Sequence, residues 1–241
     1  GNASKFDDWV HNNFVGALLQ LYEPFARACP FYAGFRTFCL LSRRNLRHFI
    51  ELIHKSIAHS SAELGSIQWP LSQQEQAEAA SDASAAFLRE VKSFGNSGAK
   101  LHTFVLRLGT LFKCAQQRPS LSEAEQSHFS ISRAVEQLTQ INVSFLEEAV
   151  KWSVLFEEKE TKTKGKFAPE DTEYILNPIY APFFHISYRK RKKLDIPVSD
   201  LVVLMDGSLD EVTSLLRKYS VMWDVEPADI APTLFSGLQE S

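Results

Sequence analysis

Val143-Ser144-Phe145-Leu146-Glu147-Glu148-Ala149-Val150-Lys151-Trp152-Ser153-Val154-Leu155-Phe156 changes its period part-way along. Residues 143–152 read as a short helix, whereas 153–156 read as a strand. A second strand is expected over 172–176, and the polar, Lys-rich stretch 157–171 between them has the composition of a solvated hairpin tip. Upstream, 128–131 alternates polar and apolar residues like a further short strand. Another short helix is expected over 133–138, one tight turn before the helix at 143–152. Helix, strand, helix, turn, helix, hairpin is the order of a winged helix-turn-helix.

The segments on either side are helical. An amphipathic helix over 100–117 carries Leu101, Phe104, Val105, Leu108 and Leu111 on one face. Ser72-Gln73-Gln74-Glu75 is a capping box, in which the serine and the glutamate satisfy each other's free amides. It opens an Ala- and Gln-rich helix that reaches about Phe94, broken by Gly95 and Gly98. Residues 60–69 are a linker by composition. Before them, Leu46, Phe49, Ile50, Ile53 and Ile57 form the stripe of a helix with one buried face. A short apolar segment covers 31–41. Ser4 with Asp7 is expected to cap a first helix through Trp9, Phe14, Leu18, Leu19 and Leu21, ending near Pro24. At the other end come an aromatic-rich helix over 177–184 and a second capping box, Ser208 with Glu211, opening a helix to about Tyr219. A frayed tail is expected from Pro227 onward.

Bulk properties exclude some function classes. At 44% hydrophobic and 23% charged residues, the 241-residue chain has the composition of a soluble globular protein. A formal net charge of −3 gives no global attraction to nucleic acid, so any such contact must rest on local clusters. Cys29, Cys39 and Cys114 are odd in number and widely spaced, which suits a reducing, cytoplasmic compartment rather than a disulfide framework. No apolar run is long enough to span a membrane, so no membrane partner is expected. The chain begins Gly-Asn-Ala-Ser, and its only methionines are Met205 and Met222. An excised fragment of a longer protein is therefore expected.

Few residues suggest chemistry. Arg43, Arg44 and Arg47 crowd the start of the helix at 46–57, where the macrodipole disfavours cations unless an anion meets them. Arg43 and Arg44 are expected in solvent. For Arg47 the plain alternative is an exposed pair with Glu51 one turn on, worth about 0.3–0.5 kcal/mol. The helix at 143–152 has the recognition position, yet it carries Glu147 and Glu148 against one lysine, Lys151. Base contacts from Asn142 and Ser144 would come with repulsion of the phosphates, so major-groove readout is not expected. Two basic clusters suit non-specific backbone contact instead: Lys162, Lys164 and Lys166 at the hairpin tip, and Arg189, Lys190, Arg191, Lys192 and Lys193 beside Tyr188. Both also suit a plain solvated surface or an acidic protein partner. The seven histidines lack metal-ligand spacing, His54 and His59 being five residues apart, so no metal site and no catalytic residue is expected.

Ser42-Arg43-Arg44-Asn45-Leu46-Arg47-His48-Phe49-Ile50-Glu51-Leu52 resembles the sensor-2 helix in the lid of origin-recognition-type AAA+ ATPases, especially their bacterial relatives. In that family a small residue and Asn or Asp cap the helix, and an arginine two positions later reaches the nucleotide phosphates. Asn45 matches the cap and Arg47 the sensor arginine, while Arg44 stands where glycine is usual. Leu176-Asn177-Pro178-Ile179-Tyr180-Ala181-Pro182-Phe183-Phe184-His185-Ile186-Ser187-Tyr188-Arg189 resembles the segment C-terminal to the winged helix in the same proteins. No Gly-x-x-x-x-Gly-Lys-Ser/Thr loop occurs, so the chain alone is not expected to be an enzyme or to hold a cofactor. ATP and Mg belong to the intact protein that the resemblance implies. The expected architecture is mainly α: a helical, lid-like bundle (1–66), a winged helix-turn-helix with a small β hairpin (70–176) and a helical C-terminal extension (177–241). The function implied is a non-catalytic regulatory fragment. Its partners would be an upstream ATPase domain, with Arg47 and Asn45 completing a nucleotide site, and either DNA backbone or another protein. The alternative is a protein-interaction scaffold that binds no nucleic acid.

Overall fold

A computed structural model describes residues 2–23, 27–60, 69–119, 125–132, 138–159 and 172–225. The chain is mainly helical, with one small mixed sheet and helices at its C-terminal end. Helix α1 spans Asn2–Tyr22, α2 Phe35–Ser42, α3 Leu46–His59, α4 Gln73–Glu90 and α5 Gly98–Gln116. Strand β1 (Gln126–Ser132), α6 (Gln140–Lys151), β2 (Leu155–Lys159) and β3 (Thr172–Leu176) follow in the winged-helix order. The chain continues through α7 (Ala181–Phe184), β4 (Lys192–Pro197), α8 (Val198–Asp206) and α9 (Leu209–Trp223). The helix expected at 133–138, most of the 60–69 linker, the hairpin tip and the tail from Pro227 lie outside the described residues.

Three helix starts form as their local sequence dictates. Ser72 and Glu75 make both bonds of the capping box on α4, Ser208 and Glu211 do the same on α9, and Asn45 caps α3. The first helix departs from expectation. It begins at Asn2, which places Ser4 and Asp7 inside it rather than at a cap.

Helix α5 is the centre of the molecule. Leu101, Phe104, Val105, Leu108, Leu111 and Phe112 are all fully buried, so this helix is enclosed rather than amphipathic at a surface. Gly109 lets α7 approach: a Cβ there would collide with the fully buried Phe184 ring. Helix α4 presents the small residues Ala77, Ala80, Ala83 and Ser84, which allow neighbouring elements close contact. It packs on α3, where the His48 ring lies 4.4 Å from Phe87 and His59 Nε2 is 2.9 Å from Asp82. This packing spans the expected boundary at 60–69, and one hydrophobic core runs from α1 to α9.

The sheet order is β2-β3-β1-β4. The pairs β1–β3 and β2–β3 are antiparallel, with Phe129 opposite Tyr174 and Phe156 opposite Ile175, as a winged-helix hairpin requires. On the other edge β4 pairs parallel to β1, with Leu194 opposite Phe129 and Ile196 opposite Ile131. The C-terminal extension therefore contributes a strand as well as helices. Among the described residues, no helix is long and apolar enough to cross a membrane.

Candidate nucleic-acid interface

Helix α2 ends where Arg43 turns left-handed (φ 42°), and Arg44 does the same (φ 66°). Arg44 thus holds a backbone conformation usually left to glycine, at a cost of about 1–2 kcal/mol for a side chain. The double turn lets Asn45 leave α2 and cap α3, its Oδ1 accepting from Arg47 N at 3.0 Å and His48 N at 3.4 Å. It also directs Arg43 toward the sheet. Arg43 is half-buried, not solvated as expected: its guanidinium lies 4.2 Å over the Phe156 ring and 2.5 Å from Glu158. Arg44 is exposed and has no acidic partner among the described residues.

The second basic cluster comes back to this point. Tyr32 Oη donates to Ile186 O at 2.8 Å, Gln116 holds His185 O and Ser187 N, and Ser127 Oγ donates to Arg189 O at 2.8 Å. These bonds lay residues 186–191 along the end of the sheet as a strap. Tyr188 stacks on Phe31 at 4.6 Å, and its hydroxyl is 3.3 Å from Thr37 Oγ1 on α2. A groove of about 800 Å³ lies between the two segments, lined by Arg36, Arg43 and Arg44 on one side and by Arg189, Lys190 and Arg191 on the other.

The charges in the groove are unevenly matched. Lys190 Nζ sits 2.8 Å from Glu158 and 2.5 Å from Glu173, and Arg191 Nε is 3.7 Å from the buried Glu125. Glu158 bridges Arg43 through one carboxylate oxygen and Lys190 through the other. The Lys190 ammonium, and after it the Arg43 guanidinium, hold its carboxyl below the usual carboxylate range. Arg43, Lys190 and Glu158 are partly exposed, so the two pairs that Glu158 makes are each worth at most about 1 kcal/mol and are open to exchange. Arg189 lies 5.4 Å over the Phe31 ring. Arg36 is exposed and, like Arg44, has no acidic partner among the described residues. Burial pushes the nearby His128 imidazole down to about 4, so it adds no charge at neutral pH.

Lys192 and Lys193 are the first residues of β4, beside the groove rather than in it, and Lys193 lies 3.8 Å from Asp195. Lys162, Lys164 and Lys166 fall outside the described residues. Arg47 is exposed on the first turn of α3. Its partner is Glu90 on α4, not Glu51: two parallel bonds of 2.6 Å join guanidinium and carboxylate. On α6, Asn142 is buried and unavailable to a base, while Ser144 and Glu147 are exposed. Arg36 lines the groove and Glu158 bridges two of its cations, but neither carries a signal in the sequence, since each is unremarkable among its own neighbours. Among the described residues, no group of His, Cys, Asp and Glu is arranged to hold a metal ion.

A family model described as ORC-CDC6-like matches residues 1–196. The matched stretch takes in the helical bundle, the winged-helix order and nearly all of β4. No curated protein and no solved structure matches the chain.

Proposed function

Because the chain belongs to the ORC-CDC6-like family, we propose that it acts as the regulatory region of an AAA+ ATPase and contacts DNA through the phosphate backbone. An ORC-CDC6-like region is a non-catalytic part of AAA+ proteins, which supports the reading that an upstream ATPase domain holds ATP and Mg in the intact protein. The observation that carries the DNA reading is the convergence of six cations on one groove. Phosphate contacts need positive charge but no base code, which suits a surface built from arginine and lysine. Lys192 and Lys193, beside the groove, extend the same contact, and Lys162, Lys164 and Lys166 are proposed as further phosphate contacts.

The test is binding of mixed-sequence duplex DNA over a salt series. We expect detectable affinity at low salt, falling steeply as salt rises. Replacing Arg189, Lys190, Arg191, Lys192 and Lys193 by alanine should weaken it at least about tenfold. Absence of binding at low salt would leave the scaffold reading, in which the same groove takes an acidic protein.

A second reading concerns Arg47, favoured by its exposure at a capped helix start and by the fork that Glu90 holds in place. In the intact protein it would exchange Glu90 for a nucleotide phosphate, with Asn45 fixing the turn. ATP turnover of the intact protein should fall in Arg47→Ala; unaltered turnover would leave Arg47 a structural partner of Glu90.

A further inference from the structure

Resting on that proposed DNA contact, the geometry points to the groove as a seat for a single nucleic-acid strand, whose phosphates replace the Glu158 carboxylate between Arg43 and Lys190. The shape of the groove suits a strand. Duplex DNA is met by elements that enter its grooves or by surfaces that lie along its backbone. Here the cations instead stand on two facing walls of a concave space of about 800 Å³. The same space is lined by Cys39 and Leu40, both exposed, and by Pro178 and the half-buried Tyr188. A basic channel with apolar and aromatic surface between its walls is how sequence-tolerant single-strand binders hold backbone and bases together.

A carboxylate already stands where a phosphate would. Glu158 offers two oxygens to two cations, at 2.5 Å from Arg43 and 2.8 Å from Lys190, which is the contact a phosphodiester's two free oxygens would make. The Glu158 side chain is 40% exposed, so it can turn out into water. Lys190 keeps Glu173 when it does. A single carboxylate satisfies only this central pair. A strand brings further phosphates on either side, for which Arg36 and Arg44 stand without acidic partners among the described residues. The ligand class is therefore a polyanion with repeating phosphates, not a lone anion.

The experiment compares a labelled oligo-dT with a mixed-sequence duplex of the same length, by fluorescence anisotropy on the 241-residue chain across a salt series. The single strand should bind more tightly than the duplex at every salt concentration. Arg36→Glu with Arg44→Glu should weaken single-strand binding at least about tenfold and reduce the salt slope by about 1.4. Glu158→Gln, equal in size, should strengthen it about threefold or more, since the internal competitor loses its charge. Circular dichroism and melting of each variant establish that the fold is retained. If the duplex binds as tightly as the strand, or the Arg36/Arg44 variant binds normally, the single-strand seat is overturned. The backbone contact survives that result if alanines at 189–193 still weaken duplex binding at least about tenfold. Unchanged or weaker binding by Glu158→Gln overturns the displacement. No binding of either nucleic acid overturns this inference and the DNA reading together.

Discussion

Helix α6 and the basic groove are the two places where this fold would meet nucleic acid, and they carry opposite charge. Helix α6 has the recognition position of the winged-helix order, yet its exposed side carries Glu147 and Glu148, and its lysine, Lys151, is bonded to Glu148 at 2.8 Å. The groove has no place in that order. It is assembled from α2, the turn after it and a strap about 150 residues later in the chain, and among the described residues its cations outnumber the carboxylates paired with them. The difference teaches that topology and charge have separated in this molecule. Helix α6 serves the core through Phe145, whose ring meets Phe104 at 5.4 Å, while the positive charge gathers on segments that only tertiary packing brings together.

That separation can be broken through the core. Gly109 on α5 lies under the Phe184 ring, and α7 leads directly into the strap that carries Arg189, Lys190 and Arg191. A methyl group at position 109 meets a ring that is fully buried and cannot swing aside. Gly109→Ala should therefore destabilise the protein by about 1–3 kcal/mol, the usual cost of overpacking. Melting temperature should fall by roughly 2–4 °C for each kcal/mol, measured by calorimetry. Displacing α7 also moves the strap, so DNA affinity should drop in the same variant, whereas α6 keeps its seat on Phe104. Unchanged stability and unchanged affinity together would mean that the groove does not depend on how α7 docks.

What was legible in the sequence was local. Ser72 with Glu75, Ser208 with Glu211 and Asn45 read correctly because each cap is completed within three residues. The apolar stripe of α5 and the β2–β3 hairpin were visible for the same reason. Strand β4 was hidden because Lys192 and Lys193 belong equally to a charge run, leaving only Leu194 and Ile196 to alternate. Its partner β1 lies more than 60 residues upstream, and parallel pairing leaves no turn signature. Arg47 shows the same limit. Glu51 is the partner that helical spacing suggests, but Glu90 on the packed neighbour offers both oxygens at 2.6 Å. The groove lay beyond sequence altogether, because Arg36 and Arg191 become neighbours only when the strap docks on α2.

The smallest effect is expected on α6 itself. Glu148 bonds Lys151 and, at 3.0 Å, the Trp152 indole, and Glu147 has no ion pair among the described residues. Neither glutamate touches a cation of the groove. Converting both to glutamine, Glu147→Gln with Glu148→Gln, removes local charge without creating a phosphate contact. What remains is long-range repulsion, which salt screens beyond about 8 Å at physiological ionic strength. DNA affinity should then rise less than about threefold at that salt, with no change in salt slope, because the number of phosphates neutralised stays the same. The gain should also be equal in the presence and absence of Arg36→Glu and Arg44→Glu, since separate sites add. A rise of tenfold or more, or a steeper slope, would mean that the nucleic acid crosses α6 after all. The acidity of that helix would then be a brake on one continuous surface rather than the mark of a helix given over to the core.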